Sequence, residues 1–165
     1  MGIQLYPYFS NSESTTNMNI LIVEDDLFKY SRIEGLIRKY YKTSTCTRID
    51  NVHDTIKYIK YSTPDKLILD MSLPSHSANV GQGSPISMPT GGIEIIMELS
   101  SIDKLSIDTL VLTQYPDIEI DFEYYSIKES EAIIKEMFYF ENLSVAHYDE
   151  DSDEWENSVK KFLEV

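Results

Sequence analysis

From Asn19 to Leu163 short apolar runs alternate with segments of helical period, and two of the apolar runs end in acid. Asn19-Ile20-Leu21-Ile22-Val23 leads into Glu24-Asp25-Asp26, and Lys66-Leu67-Ile68-Leu69 leads into Asp70. A run with no polar alternation reads as a strand buried on both faces, the mark of a parallel sheet covered by helices. The carboxyl ends of parallel strands share one edge, so these acids should converge although they lie far apart in sequence. Clustered carboxylates repel one another and are costly to desolvate, and a bound hard cation such as Mg²⁺ relieves both costs. A Mg²⁺-carboxylate site is therefore the first functional expectation.

The alternation predicts five βα units. Strands are expected at 19–23, 43–49, 66–71, 108–114 and 143–148. Leu27, Tyr30, Ile33, Leu36, Ile37 and Tyr40 recur at helical spacing and predict a first helix over 27–41. Asn51 caps a second helix carrying Val52, Ile56 and Ile59, which Pro64 ends. Further helices are expected over 93–99, 130–140 and 152–163, the last with a capping box from Asp151 to Glu154. The stretch from Ser75 to Gly92 holds four of the six glycines with Pro85 and Pro89 and has no hydrophobic period, so it reads as a long loop. Residues 1–18 read as a polar tail and 19–165 as one domain.

Composition removes several classes of function. No run approaches the roughly 20 apolar residues of a membrane helix. A formal net charge of −14 repels phosphate backbones and anionic lipid, which argues against nucleic-acid or membrane partners. The single Cys46 has no internal disulfide partner and the N-terminus carries no export signal, so the expected compartment is the cytoplasm. His53 and His76 have no metal-ligand spacing.

With these residues in hand, the chain resembles the receiver domain of two-component response regulators. Ile20 to Asp26 resembles the family's first strand with its acidic pair, and Leu67 to Pro74 its phospho-acceptor strand and loop. Gly91-Gly92-Ile93-Glu94-Ile95-Ile96 resembles the start of its third helix, and Val111-Leu112-Thr113 its switch strand. The resemblance implies a flavodoxin-like, doubly wound α/β sandwich, (βα)5, with a five-stranded parallel sheet. It implies a stand-alone phosphorelay protein that is not a turnover enzyme. Asp70 would accept a phosphoryl group from a histidine kinase or phosphotransfer protein. Asp25 would ligate Mg²⁺ directly, Glu24 largely through water, and the Ser72 carbonyl would complete the protein ligands. Thr113 would contact the phosphoryl oxygens, while Asp26 is either an accessory acid or a cap for the first helix. The output would pass to a downstream protein through the fourth helix, fifth strand and fifth helix, where Phe138, Tyr139, Tyr148 and Trp155 offer apolar anchors.

One element of the family pattern is missing. Receivers carry a lysine, followed by proline, at the end of the fifth strand, with an aromatic residue shortly before it. Here His147 and Tyr148 stand at the first two positions and Ser144 at the third. His147 is then the expected phosphoryl contact, with a shorter reach. Taking Tyr124 to Lys128 as the fifth strand would recover a lysine but leaves about ten residues for a parallel crossover, the lower limit for a helical connection. Two other functions remain: a phosphorylation-independent interaction module, and a Mg²⁺-dependent phosphohydrolase of the haloacid dehalogenase type. The latter needs a second Asp two residues after the nucleophile. Asp70-Met71-Ser72 does not supply it.

Overall fold

The structure, a computed structural model, describes residues 17–78, 85 and 87–164. In chain order the elements are β1 (Asn19–Val23), α1 (Leu27–Tyr40), β2 (Thr45–Ile49), α2 (Val52–Tyr61), β3 (Lys66–Leu69), β4 (Leu73–Pro74), β5 (Ser87–Met88) and α3 (Gly91–Ser101). They continue with β6 (Asp108–Thr113), β7 (Asp117–Ile120), β8 (Glu123–Ser126), α4 (Ile127–Phe138), β9 (Leu143–His147) and α5 (Glu154–Glu164). The main sheet is parallel, in the order β2-β1-β3-β6-β9. Counting only its own strands, this is the 2-1-3-4-5 order of flavodoxin-like folds.

Strand side chains alternate between two apolar layers, which explains the unbroken hydrophobic runs. Leu21, Val23, Leu67, Leu69 and Val111 pack with α2, α3 and α4, while Ile20, Ile22, Ile68, Leu110 and Leu112 pack with α1 and α5. Both layers are fully buried at the strands, so truncating a residue such as Ile22 or Leu69 to Ala should cost about 2–5 kcal/mol. Asn51 caps α2 by accepting the Asp54 N–H, as its place before the helix suggests. Among the described residues, no helix is long and apolar enough to cross a membrane.

Several features differ from the sequence reading. A β-hairpin, β7 with β8, occupies the stretch between β6 and α4. Its turn residues Asp121 and Phe122 both have positive φ, 51° and 67°. Two-residue hairpin turns of this kind normally announce themselves with Asn-Gly or Asp-Gly, and Asp-Phe hides the signal. The hairpin also removes the alternative fifth strand. Glu123–Ser126 pairs antiparallel with β7, whereas Leu143–His147 lies parallel to β6 at the sheet edge. α4 begins at Ile127, three residues earlier than expected, because Ser126 and Glu129 form a reciprocal capping box. The box expected at Asp151 is not formed: Ser152 accepts the Glu154 N–H instead.

The 75–92 stretch is not wholly loop. β4 and β5 pair antiparallel across it, Leu73 opposite Met88, and α3 starts inside it at Gly91. Residues 79–84 and 86 lie outside the described residues, as do 1–16 of the expected tail. Met18, placed in that tail by its sequence, is buried against the α1 and α5 layer, and its carbonyl accepts the Thr45 N–H. Two expected surface anchors are core residues. Tyr148 and Trp155 are buried with ring centroids 5.1 Å apart, leaving Tyr139 exposed and Phe138 half-buried.

Candidate functional site

At the carboxyl edge of the sheet, hydrogen bonding continues one residue beyond two strands. The Glu24 N–H donates to the Ile49 carbonyl at 2.9 Å and the Asp70 N–H to the Val23 carbonyl at 3.0 Å. These ladder-like bonds fix both acids at the mouth of the sheet. Glu24 and Asp70 are 2% and 4% exposed, while Asp25 is open to solvent. One carboxylate oxygen from each of Glu24, Asp25 and Asp70 lies within 4.8 Å of the others. An all-oxygen, all-anionic donor set of this size suits a hard divalent cation such as Mg²⁺.

Lys29 shares the site, and nothing in the sequence reading had placed it there. Its side chain is 2% exposed. Nζ lies 2.7 Å from Glu24 Oε2, donates to Asp70 Oδ1 at 2.9 Å and donates to the Leu112 carbonyl at 2.8 Å. An ammonium has three donors, and all three are used. The Tyr148 ring closes over it, 5.3 Å from Nζ to the centroid. Lys29 therefore ties together the ends of β1, β3 and β6.

Burial and charge compete here. Burial pushes the Glu24 carboxyl up to about 7 against the opposing pull of Lys29. Asp70 is also raised by burial, again with Lys29 opposing. For Lys29, burial alone would lower the ammonium, but Asp70 and Glu24 together outweigh it and hold the group above the ordinary lysine range. Asp25 adds a third acid to the two that Lys29 contacts, so where the acids are ionised they outnumber the ammonium and the cluster attracts a cation. Removing one partner from a buried ion cluster leaves the others uncompensated, which is far costlier than the net worth of the pairing.

The remaining expected residues are spread around this edge. Asp26 turns away from the cluster to cap α1, accepting the N–H of Phe28 at 2.7 Å and of Lys29 at 3.2 Å. The cap thereby anchors the backbone of the residue that supplies the ammonium. Ser72 lies half-buried between β3 and β4, two residues past Asp70. Thr113 is fully buried at the end of β6, and its hydroxyl accepts the Tyr115 N–H at 3.2 Å. His147 pairs with Thr113 in the strand register, but its ring is exposed and sits 3.1 Å from the Gln114 carbonyl. The buried cation beside Asp70 comes from α1 and not from the end of β9.

A glycine makes the tight approach of α3 possible. The Gly92 N–H donates to the Met71 carbonyl at 2.9 Å. A Cβ at Gly92 would lie 2.6 Å from the Asp70 carbonyl oxygen and 2.9 Å from Met71 Cα, closer than real Cβ contacts come. The helix start therefore rests directly on the backbone that presents Asp70.

Comparison with known proteins gives the following. No family model matches the sequence. Over 146 residues the chain is 42% identical to the Detocs response regulatory protein DtcB of Vibrio alginolyticus, spanning 87% of this chain and 98% of that protein. Among solved structures it resembles the phosphorylated cyanobacterial phytochrome response regulator RcpA, with a TM-score of 0.63, 16% identity and coverage of 90% and 93% of the two chains. It also resembles the Mn²⁺-bound form of response regulator Rcp1, with a TM-score of 0.60, 14% identity and coverage of 87% and 90%. At such identities the structural likeness speaks for the fold alone.

Proposed function

The chain belongs to the response regulator family, as a receiver-type signalling protein, and from that premise we propose that it accepts a phosphoryl group on Asp70 with Mg²⁺ held by Glu24, Asp25 and Asp70. The observation that carries the reading is the position of Asp70: a buried carboxylate ending the central strand β3, with two further acids within 4.8 Å. A phosphorylated receiver and a Mn²⁺-bound one share the fold and support it.

In the proposed transfer the P–N bond of a donor phosphohistidine breaks and its electron pair returns to the imidazole. A P–O bond forms to an Asp70 oxygen, giving an acyl phosphate. A bound divalent cation would neutralise the phosphoryl oxygens as charge builds on them. The protein's own part is positioning. The strand-like bond to Val23 fixes the nucleophile, Glu24 and Asp25 hold the cation, and the Ser72 carbonyl offers a further ligand. Thr113 supplies a hydroxyl at the end of β6.

The output passes through protein contact in this reading, since a charge of −14 disfavours nucleic acid and anionic membranes. The donor is a histidine kinase or phosphotransfer protein, and the compartment is the cytoplasm. A second reading, a phosphorylation-independent interaction module, is favoured by one observation: Lys29 pairs with both buried acids and so compensates their charge from within the fold. Intact-mass measurement after acetyl phosphate with Mg²⁺ decides between them. One added phosphoryl mass in wild type and none in Asp70→Asn is expected. Equal labelling of both proteins, or of neither, would overturn the assignment.

A further inference from the structure

Lys29 is a buried cation that the proposed metal chemistry leaves without a task. It is not a chance ion pair. Its ammonium is enclosed, all three donors are satisfied, and its partners come from three different strand ends: Glu24 after β1, Asp70 after β3 and the Leu112 carbonyl within β6. The helix that carries it is capped so that Asp26 accepts the N–H of Lys29 itself. On the same helix face, Ile33, Leu36 and Ile37 are buried in the core, which seats α1 against the sheet with Lys29 turned inward. The other cationic groups near this edge engage other partners: Arg48 donates to the Asp25 carbonyl at 2.8 Å and lies 3.7 Å from Asp50, and the His147 ring is exposed, 3.1 Å from the Gln114 carbonyl.

A phosphoryl group on Asp70 Oδ1 places dianionic oxygens two bonds from an oxygen that Nζ already touches at 2.9 Å. An ammonium so near prefers the dianion to a neutral backbone carbonyl, because its Coulomb attraction to full charges exceeds its attraction to a carbonyl dipole. The Leu112 carbonyl is the partner most readily given up. Leu112 immediately precedes Thr113, so the exchange would act on the end of β6.

Resting on the phospho-acceptor reading above, we propose that Lys29 is the phosphoryl-contacting cation of this site, supplied from α1. It orients the Asp70 carboxylate before transfer and binds the phosphoryl oxygens afterwards, exchanging its bond to Leu112 for one to the phosphoryl group. Lys29 also competes with the metal, since both are cations drawing on Glu24 and Asp70. This competition separates a phosphoryl-binding role from a merely structural one. Loss of the lysine charge should weaken binding of a phosphoryl analogue and strengthen binding of a divalent cation alone. A structural role would weaken both or change neither.

The test uses the full chain, with beryllofluoride as the phosphoryl analogue and Mg²⁺ alone as the metal probe, in wild type, Lys29→Met and Lys29→Gln. Acetyl phosphate labelling of wild type is run alongside. Folding is checked by circular dichroism, and Lys29→Gln, which keeps amide donors for the stranded carboxylates, is the deciding variant if Lys29→Met does not fold. The expected result is a beryllofluoride affinity lowered by about tenfold or more, with a Mg²⁺ affinity raised several-fold, since a unit charge within 4 Å acts on both ligands with opposite sign. Unchanged beryllofluoride binding in a folded variant would overturn the proposal and leave Asp70 as acceptor. Parallel loss of both ligands would reduce Lys29 to a structural residue. A wild type that is neither labelled nor bound by beryllofluoride would instead remove the phospho-acceptor reading, and this one with it.

Discussion

Gly92 sits at the start of α3 and Gly35 inside α1, and they differ sharply in what lies beside them. At Gly92 an added methyl meets the Asp70 carbonyl oxygen and the Met71 backbone, whereas at Gly35 nothing lies within 4 Å. Gly92→Ala should therefore push α3 off the Asp70 segment, costing about 1–3 kcal/mol, the range for overpacking a filled site, and slowing labelling of Asp70. Gly35→Ala should stabilise by about 0.4–1 kcal/mol through the reduced freedom of the unfolded chain. Urea midpoints of the two variants compare them directly, and equal shifts would show that the α3 contact is not tight. Glu24 makes a prediction of pH. Its carboxyl is raised by burial from an ordinary 4.5 to about 7, so between these values the folded state holds a proton that the unfolded state has released. Linkage then makes its contribution fully present below pH 4.5 and lost as pH rises through 7. In metal-free buffer the stability of wild type should fall across this window more steeply than that of Glu24→Gln, which has no proton to lose. Parallel curves from chemical denaturation at a series of pH values would show that Glu24 ionises freely.

α1 and the β7–β8 hairpin are the elements in which sequence and structure part most informatively. Asp26 has two N–H partners at the start of α1, so Asp26→Ala should cost about 1 kcal/mol, the usual worth of an N-cap. It should also loosen Lys29, detectable as a larger loss of beryllofluoride binding than of thermal stability. In the hairpin, Phe122 is 89% exposed at a φ of 67°, so the ring contributes little burial while the backbone is strained. Left-handed geometry costs a residue with a Cβ roughly 1–2 kcal/mol, and Gly gives back part of that in chain entropy, so Phe122→Gly should stabilise by up to about 1 kcal/mol in thermal unfolding. The central strands were legible because both of their faces are buried, which leaves a continuous apolar signature, and the acids at the ends of β1 and β3 marked the edge, whereas the fold class came with the family resemblance. Lys29 was not legible. The stripe read as Leu27, Tyr30, Ile33, Leu36, Ile37 and Tyr40 begins on a residue that is 64% exposed, and the face that packs inward is Lys29, Ile33, Leu36 and Ile37. A lysine four residues before a buried isoleucine, on the helix that follows an acidic strand end, was the available signal. Hydropathy patterning treats any lysine as solvent-facing, and so passes over one buried by charge.

At the scale of the whole molecule, the carboxylate cluster forms only when β1 and β3 lie side by side, so a divalent cation bound there should act as a ligand of the fold. Binding to the native state alone stabilises by about 2.7 kcal/mol when Mg²⁺ stands 100-fold above its dissociation constant. For a chain of this size that corresponds to about 5–10 °C in the unfolding midpoint. A net charge of −14 complicates the observation, because any added cation screens self-repulsion and raises stability without occupying a site. Monovalent salt at matched ionic strength removes that contribution, and what remains belongs to the carboxylates. Asp25 is the residue with which to isolate it. It is exposed and has no ammonium of its own, unlike Glu24 and Asp70, so Asp25→Ala deletes a ligand without stranding Lys29. Without metal, that variant should be as stable as wild type or slightly more so, since one charge leaves a repelling cluster. The Mg²⁺ increment above matched salt should disappear in Asp25→Ala while the response to monovalent salt stays as it was. An increment that survives would locate the bound cation away from the ends of β1 and β3.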